Sequence, residues 1–130
     1  MALGLKDLVQ QARQAANEIS PEVAHKAIDQ GALVLDVRES GEFRERHVAR
    51  AKSVPRGLLE LKAATDSPVS DPELTGHREE RVVVYCTKSP SARSLFAAQT
   101  LAMLGYTNVS VLEGGLNAWG EAGLPMEEGP

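Results

Sequence analysis

The apolar residues of this chain form short runs and helical repeats that alternate along its length. Val82 to Tyr85 is a β-branched and aromatic run, typical of a short strand that is buried on both faces. After a polar stretch, large apolar residues recur at helical spacing from Leu95 to Leu104, with alanines between them. Cys86, the only cysteine, is therefore predicted to lie at the end of a strand that leads into a helix.

The same alternation continues on both sides of this unit. Further strands are predicted at Ala32–Arg38, Lys52–Val54 and Asn108–Leu112, and further helices at Ser20–Ile28, Glu39–Glu45 and Gly57–Ala63. Gly114-Gly115 introduces a last helix that runs through Trp119 to Glu121. The polar connection Asp66–Glu80 is predicted to contain one helical turn. This order predicts an α/β fold in which a central parallel sheet of about five strands is covered by helices on both faces.

The length of 130 residues suits one folded domain. We predict an N-terminal helix within residues 1–18, an α/β domain over residues 19–126 and a short tail at 127–130. The helix is indicated by apolar residues from Leu5 to Ile19 that lie on one side of a helical repeat.

Composition narrows the function classes. A formal net charge of −4 and a pI near 5.4 argue against a general nucleic-acid binder. No apolar run approaches the ~20 residues that span a bilayer, and the N-terminus lacks the apolar core of a signal peptide. We therefore expect a cytoplasmic protein with neither membrane nor nucleic acid as a partner. The three histidines and the single cysteine show no zinc-site spacing, and no glycine-rich nucleotide loop is present, so no metal or other cofactor is predicted.

Cys86 is the main candidate for chemistry. The start of a helix carries unpaired N–H groups and partial positive charge, which favour a thiolate or a bound oxyanion. A lone cysteine at a strand end is more often a small buried apolar residue, but a polar loop that carries Lys88 and Arg93 into a helix favours a chemical role. The residues predicted to line the substrate site are Thr87, Lys88, Ser89, Ser91, Ala92 and Arg93.

Asp36 and Arg38 fall at the carboxyl end of another predicted strand. In parallel α/β sheets this edge is where sites form. We expect the carboxylate of Asp36 to hold loop amides or to cap the next helix rather than to take part in chemistry directly.

Several segments together resemble the single-domain rhodanese family. They are Asp36-Val37-Arg38, Glu42-Phe43, His47-Val48 with Ala51, Cys86 after its apolar strand, and Glu113-Gly114-Gly115 with Trp119, in the family's order and spacing between Ile19 and Pro125. The resemblance implies a rhodanese-like fold and sulfurtransferase activity without a cofactor. Cys86 would carry sulfane sulfur as a persulfide, Arg93 would bind an anionic donor such as thiosulfate, and Ser94 would help to begin the helix.

By the same resemblance, Asp36 and Arg38 match positions that are mainly structural. The partners would be a small sulfur donor and an acceptor, either cyanide or a thiol, which a protein could carry. The loop departs from the family pattern, because six residues separate Cys86 from Arg93, two more than is usual, and none is glycine. Pro90 within it also lacks an N–H group.

Two other functions stay open at this point. One is phosphatase or arsenate-reductase chemistry on the same scaffold, which needs a general acid for the leaving group. Asp66, Asp71 and Glu73 are the candidates for that acid. The other is a binding module without catalysis, against which the intact cysteine and arginine argue. Fold alone does not decide among them.

Overall fold

A parallel sheet forms the centre of the molecule. The computed structural model describes residues 1–89 and 91–130, so Pro90 of the predicted loop lies outside the described residues. Five parallel strands in this part of the chain pair in the order β1-β6-β5-β2-β4. Their bounds are β1 Glu18–Ile19, β2 Leu33–Asp36, β4 Lys52–Ser53, β5 Val82–Tyr85 and β6 Val109–Leu112. The predicted parallel sheet is confirmed.

Helices cover both faces of this sheet, as predicted. The helices are α1 Leu5–Ala15, α2 Pro21–Asp29, α3 Ser40–Glu45, α4 Leu59–Ala63, α5 Pro72–Thr75, α6 Ala92–Met103 and α7 Gly115–Glu121, with a 3₁₀ turn at Arg56–Leu58. The start of α2 follows from local chemistry, since the Ser20 hydroxyl accepts a hydrogen bond from Val23 N, and Pro21 occupies the first helical position.

The two faces of the central strands feed two apolar cores. Leu35 and Val84 pack with α4, α5 and α6. Val34 and Val83, whose side chains point the other way, pack with α2 and α7 around Trp119. Both strands are buried at every position, which is why they appear in the sequence as continuous apolar runs.

The N-terminal helix lies within residues 1–18, but the apolar repeat that indicated it extends past the helix. The helix ends at Ala15, and Ile19 lies in β1, where it pairs with Leu112 of β6. The apolar side of α1 packs on α6, with Ala12 buried against Leu95 and Ala98. A two-residue strand has too few positions to show a period of two, so its apolar residue was counted with the preceding helix.

The C-terminus also differs from the prediction. Met126–Glu127 forms β7, which pairs antiparallel with β3, His47–Val48. Glu127 therefore belongs to the folded domain and not to a tail. The indole of Trp119 donates to the Pro125 carbonyl at 2.8 Å, which fixes the approach to this strand. Among the described residues, no helix is long and apolar enough to cross a bilayer.

Candidate active site

The site lies at the carboxyl edge of β2 and β5. These strands pair in register, with Asp36 opposite Tyr85, so the residues that follow them emerge side by side. Cys86 is the first residue after β5, and its side chain is almost fully buried, at 3% exposure. The strand thus sets the position of the sulfur, and the loop that follows controls what reaches it.

Ser94 lies directly beside the sulfur. Its Oγ is 3.3 Å from Cys86 Sγ and donates a hydrogen bond of 2.9 Å to the carbonyl of Ser91. That carbonyl also accepts from Leu95 N at 2.9 Å, the first intrahelical bond of α6. Ser94 therefore belongs to the first turn of α6 and also contacts the candidate nucleophile.

The start of α6 is left open to an anion. Ser91 precedes the helix with a left-handed backbone, φ +61, and its side chain does not cap the helix. The Ser91 N–H is bonded to the Lys88 carbonyl at 2.8 Å, which closes a turn within the loop. The first backbone N–H groups of α6 have no acceptor in the Ser91 side chain, and such N–H groups attract negative charge.

The predicted site residues come together around one depression of about 200 Å³. It is lined by Cys86, Thr87, Lys88, Ser89, Ser91, Ala92 and Arg93. Lys88 and Ser89 are exposed at its rim, whereas Ser91 is buried. A larger groove of about 380 Å³ lies between α1 and α6, lined mostly by alanines and other apolar side chains, so the chemistry-bearing groups belong to the smaller depression.

Helix α7 holds the backbone of the site from behind. Leu116 N donates to the Cys86 carbonyl at 2.9 Å, and Asn117 N donates to the Thr87 carbonyl at 3.0 Å. This contact requires glycine at position 115, because a Cβ there would lie 2.6 Å from the Cys86 carbonyl oxygen. The sequence marked Gly115 only as part of a family motif and not as a contact of Cys86.

A buried charge network supports the same edge of the sheet. The Asp36 carboxylate accepts hydrogen bonds from the Tyr85 hydroxyl at 2.5 Å and from Arg38 through N, at 2.9 Å, Nε and Nη2. Burial opposes the charge of Arg38, but Asp36 more than offsets it and raises the pKa of the guanidinium. Burial, reinforced by Asp36, also raises the pKa of Tyr85 well above its ordinary value. Asp36 and Arg38 thus brace the backbone beside the site.

Glu42, which sequence reasoning did not place in the site, pairs with Arg93. Its Oε1 accepts from Arg93 Nη1 at 2.8 Å, and its Oε2 lies 3.4 Å from Nη2. Arg93 Nη2 also donates to Thr87 Oγ1 at 3.0 Å. The hydrogen bond from Arg93 holds the pKa of Glu42 below its usual range, and Glu42 raises the pKa of Arg93.

Metal ligation is not indicated by this arrangement. Across residues 1–89 and 91–130, no group of three or more His, Cys, Asp or Glu side chains is placed to hold a metal ion. The groups gathered here are a thiol, hydroxyls, amides and one guanidinium with its carboxylate partner.

Comparison with known proteins assigns the family. The profile described as a rhodanese-like domain matches residues 20–122. The chain belongs to the rhodanese-like domain family. The resemblance drawn from the sequence is thereby confirmed, and the fold agrees with that of other rhodanese-like proteins.

Relatives of this rhodanese-like chain carry several descriptions. The thiosulfate sulfurtransferase GlpE of Actinobacillus succinogenes is 35% identical over 114 residues, which cover 87% of this chain and 92% of that protein. An uncharacterised protein of Synechocystis is 37% identical over 108 residues, which cover 82% of this chain but only 54% of that protein. A solved structure from Rhodopseudomonas palustris, described as a protein of unknown function and possible tyrosine phosphatase, has a TM-score of 0.85 and 28% identity, covering 98% of this chain and 96% of that one.

Proposed function

We propose that this rhodanese-like protein is a sulfurtransferase that carries sulfane sulfur as a persulfide on Cys86. The observation that supports this most strongly is the position of Cys86, which lines the depression at the start of α6 beside the Ser94 hydroxyl. The donor is an anion such as thiosulfate, and the acceptor is cyanide or a thiol.

The reaction divides into two displacements at sulfur. The Cys86 thiolate attacks the outer sulfur of thiosulfate, an S–S bond forms to the protein, and sulfite leaves with the electron pair of the broken bond. In the second step the acceptor attacks the outer sulfur of the persulfide, and the thiolate of Cys86 is regenerated. Neither step needs a general base once the thiolate is formed.

The surrounding groups have separate tasks in this scheme. The open amides at the start of α6 and the exposed Lys88 attract the anionic donor. The Ser94 hydroxyl is placed to hydrogen bond to the sulfur, and α7 holds the Cys86 and Thr87 carbonyls so that the loop keeps its shape.

Phosphatase chemistry is less well supported, because no carboxylate lines the described part of the depression and the candidate carboxylates are paired with cations. A general acid must hold its proton near neutral pH, whereas Arg93 lowers the pKa of Glu42. Burial raises the pKa of Asp71, but Lys52, whose Nζ lies 2.7 Å from Oδ2, more than offsets this and lowers it. Glu73 pairs with the same lysine at 3.0 Å.

The test is intact mass spectrometry on the wild type and on Cys86→Ser. Wild-type protein should gain one sulfur atom after thiosulfate and lose it after cyanide, with release of thiocyanate. Cys86→Ser should neither gain nor lose sulfur, because a serine hydroxyl stays protonated where a thiol ionises. Its melting temperature should be nearly that of the wild type. Sulfur transfer by the variant at a comparable rate would remove Cys86 from the mechanism. Release of phosphate from an aryl phosphate, dependent on Cys86, would favour the phosphatase, and a wild type that accepts no sulfur would favour a binding module.

A further inference from the structure

The guanidinium expected to meet the donor already has an anionic partner. Glu42 contacts both terminal nitrogens of Arg93, and Thr87 Oγ1 lies 3.5 Å from the same carboxylate. The pair joins α3 to α6 beside the depression that Arg93 lines, so the charge of this guanidinium is largely balanced before any donor arrives.

The carboxylate of Glu42 is held in place by its own helix. It occupies the third position of α3, where Oε1 accepts a hydrogen bond of 3.0 Å from Glu39 N at the helix start. The side chains of Glu42 and Arg93 are 38% and 40% exposed, so a small solute can reach the pair from solvent. Glu42 is thus a fixed, solvent-accessible charge beside Arg93.

We propose that Glu42 sets the charge class of the sulfur donor by neutralising Arg93, so that the site favours monoanionic over dianionic donors. This inference rests on the proposed sulfurtransferase function. Each unit of negative charge on a donor is repelled by the carboxylate and gains little from the paired guanidinium. The second charge of thiosulfate therefore costs affinity that a monoanion does not lose. Glu42 thus acts on the choice of donor by balancing the charge of Arg93.

Thiosulfate and methanethiosulfonate test this idea because their sulfur chemistry is matched. In both cases the Cys86 thiolate attacks the outer sulfur and the S–S bond breaks. Sulfite leaves from thiosulfate, and methanesulfinate leaves from methanethiosulfonate. The donors carry two negative charges and one, respectively. Cyanide then takes the sulfur as thiocyanate in both reactions, which gives one readout.

The experiment compares kcat/KM for the two donors in wild type, Glu42→Gln and Glu45→Gln, with Cys86→Ser as the blank. Glutamine keeps an oxygen for Glu39 N but removes the charge, and Glu45 is an exposed glutamate at the end of the same helix. Glu42→Gln should raise the thiosulfate to methanethiosulfonate ratio by roughly three- to tenfold, and Glu45→Gln should leave it within about twofold. A ratio that is unchanged or lowered in Glu42→Gln would overturn the inference, and a lowered one would show that the carboxylate serves to orient Arg93.

A second measurement removes the other cation of the site, the exposed Lys88. Salt screens whatever field the site presents, so in Lys88→Gln, with Arg93 neutralised by Glu42, the donor ratio should change by less than about twofold between low and high salt. A fall of about tenfold in this variant would show that the guanidinium faces the dianion unopposed. If the protein is not a sulfurtransferase, the result is distinguishable, because neither donor would yield thiocyanate above the Cys86→Ser blank.

Discussion

Ser94 Oγ lies 3.3 Å from Cys86 Sγ while its hydroxyl donates to the Ser91 carbonyl. One hydroxyl proton cannot serve both acceptors. When Cys86 is a thiol, its S–H can donate to Ser94, and when it is a thiolate, the Ser94 proton can turn toward the sulfur. The Ser91 carbonyl then still accepts from Leu95 N. Ser94 is therefore able to follow the charge on the nucleophile at little cost to α6.

Ser94→Ala should slow the reaction of Cys86. Loss of a hydrogen bond to a charged sulfur corresponds to about 1.5–3 kcal/mol, so the rate of sulfur loading should fall by about tenfold or more. Stability should change by about 1 kcal/mol or less, because the Ser91 carbonyl keeps a partner. Stopped-flow sulfite release and iodoacetamide alkylation at neutral pH measure the effect. Thr100→Val removes a hydroxyl from the same helix as a control, and equal losses in both variants would contradict a specific role.

Asp36→Asn should destabilise the fold. The side chain of Asp36 is fully buried and binds both Arg38 and Tyr85, so an amide there leaves the buried guanidinium without its counter-charge. We expect a loss of about 2–4 kcal/mol in the free energy of unfolding. Urea titration measures it. Glu60→Gln disrupts the exposed pair with Arg56 and should cost under about 1 kcal/mol. Similar values for the two variants would contradict the bracing role of Asp36.

Gly115→Ala should damage stability and activity together. Its Cβ would meet the carbonyl oxygen of Cys86 at 2.6 Å and the carbonyl carbon of Thr87 at 2.7 Å, so the loop must move. Gly123 is the matched control, since it also has a positive φ, +73, but no atom lies within 4 Å of its added Cβ. Gly123→Ala should cost about 1 kcal/mol from the backbone alone. A larger loss in Gly115→Ala, with lower kcat/KM, is expected, and equal costs would remove the contact as the cause.

Acid should weaken the contribution of Glu42 to the stability of the fold. Arg93 lowers the folded-state pKa of Glu42 below the ordinary value of 4.5, so the folded state favours the carboxylate. The resulting stability is present above the unfolded pKa and is lost as the pH falls through the folded one. The melting temperature of the wild type should therefore fall more steeply than that of Glu42→Gln below about pH 4.5. If the melting temperatures of the two proteins fall in parallel with pH in this range, the Glu42–Arg93 pair adds no stability.

Sequence patterns were enough to predict the centre of this fold. Val82–Tyr85 and Leu33–Asp36 are buried on both faces, so their apolar runs stand out, and Cys86 follows from where the first of them ends. The strands β1, β3 and β7 were missed because each has two residues, which is too short for a period. Strand β4 is equally short, but Pro55 marks the end of its segment in the sequence. Their positions are fixed by partners far along the chain.

The partners of the site residues were harder to predict. Glu42 and Arg93 are 51 positions apart, and both also fit an ordinary exposed helix. Only the docking of α3 beside α6 brings them together. The contact of Ser94 with Cys86 depends similarly on how the loop turns through Ser91. Ser91 has a left-handed backbone, which a serine rarely adopts and which its residue type therefore does not predict.

The strand order also governs the sequence of events during synthesis on a ribosome. Strand β1 is made early but pairs only with β6, and the carbonyls of Cys86 and Thr87 receive their hydrogen bonds from α7, which is made later still. When Cys86 has emerged from the ribosome but α7 has not, these two hydrogen bonds to the backbone of the site are absent. Until Gly115–Glu121 emerges, the loop that carries the thiol is not held in its folded shape, so Cys86 is more open to oxidants and electrophiles than its 3% exposure in the finished domain allows.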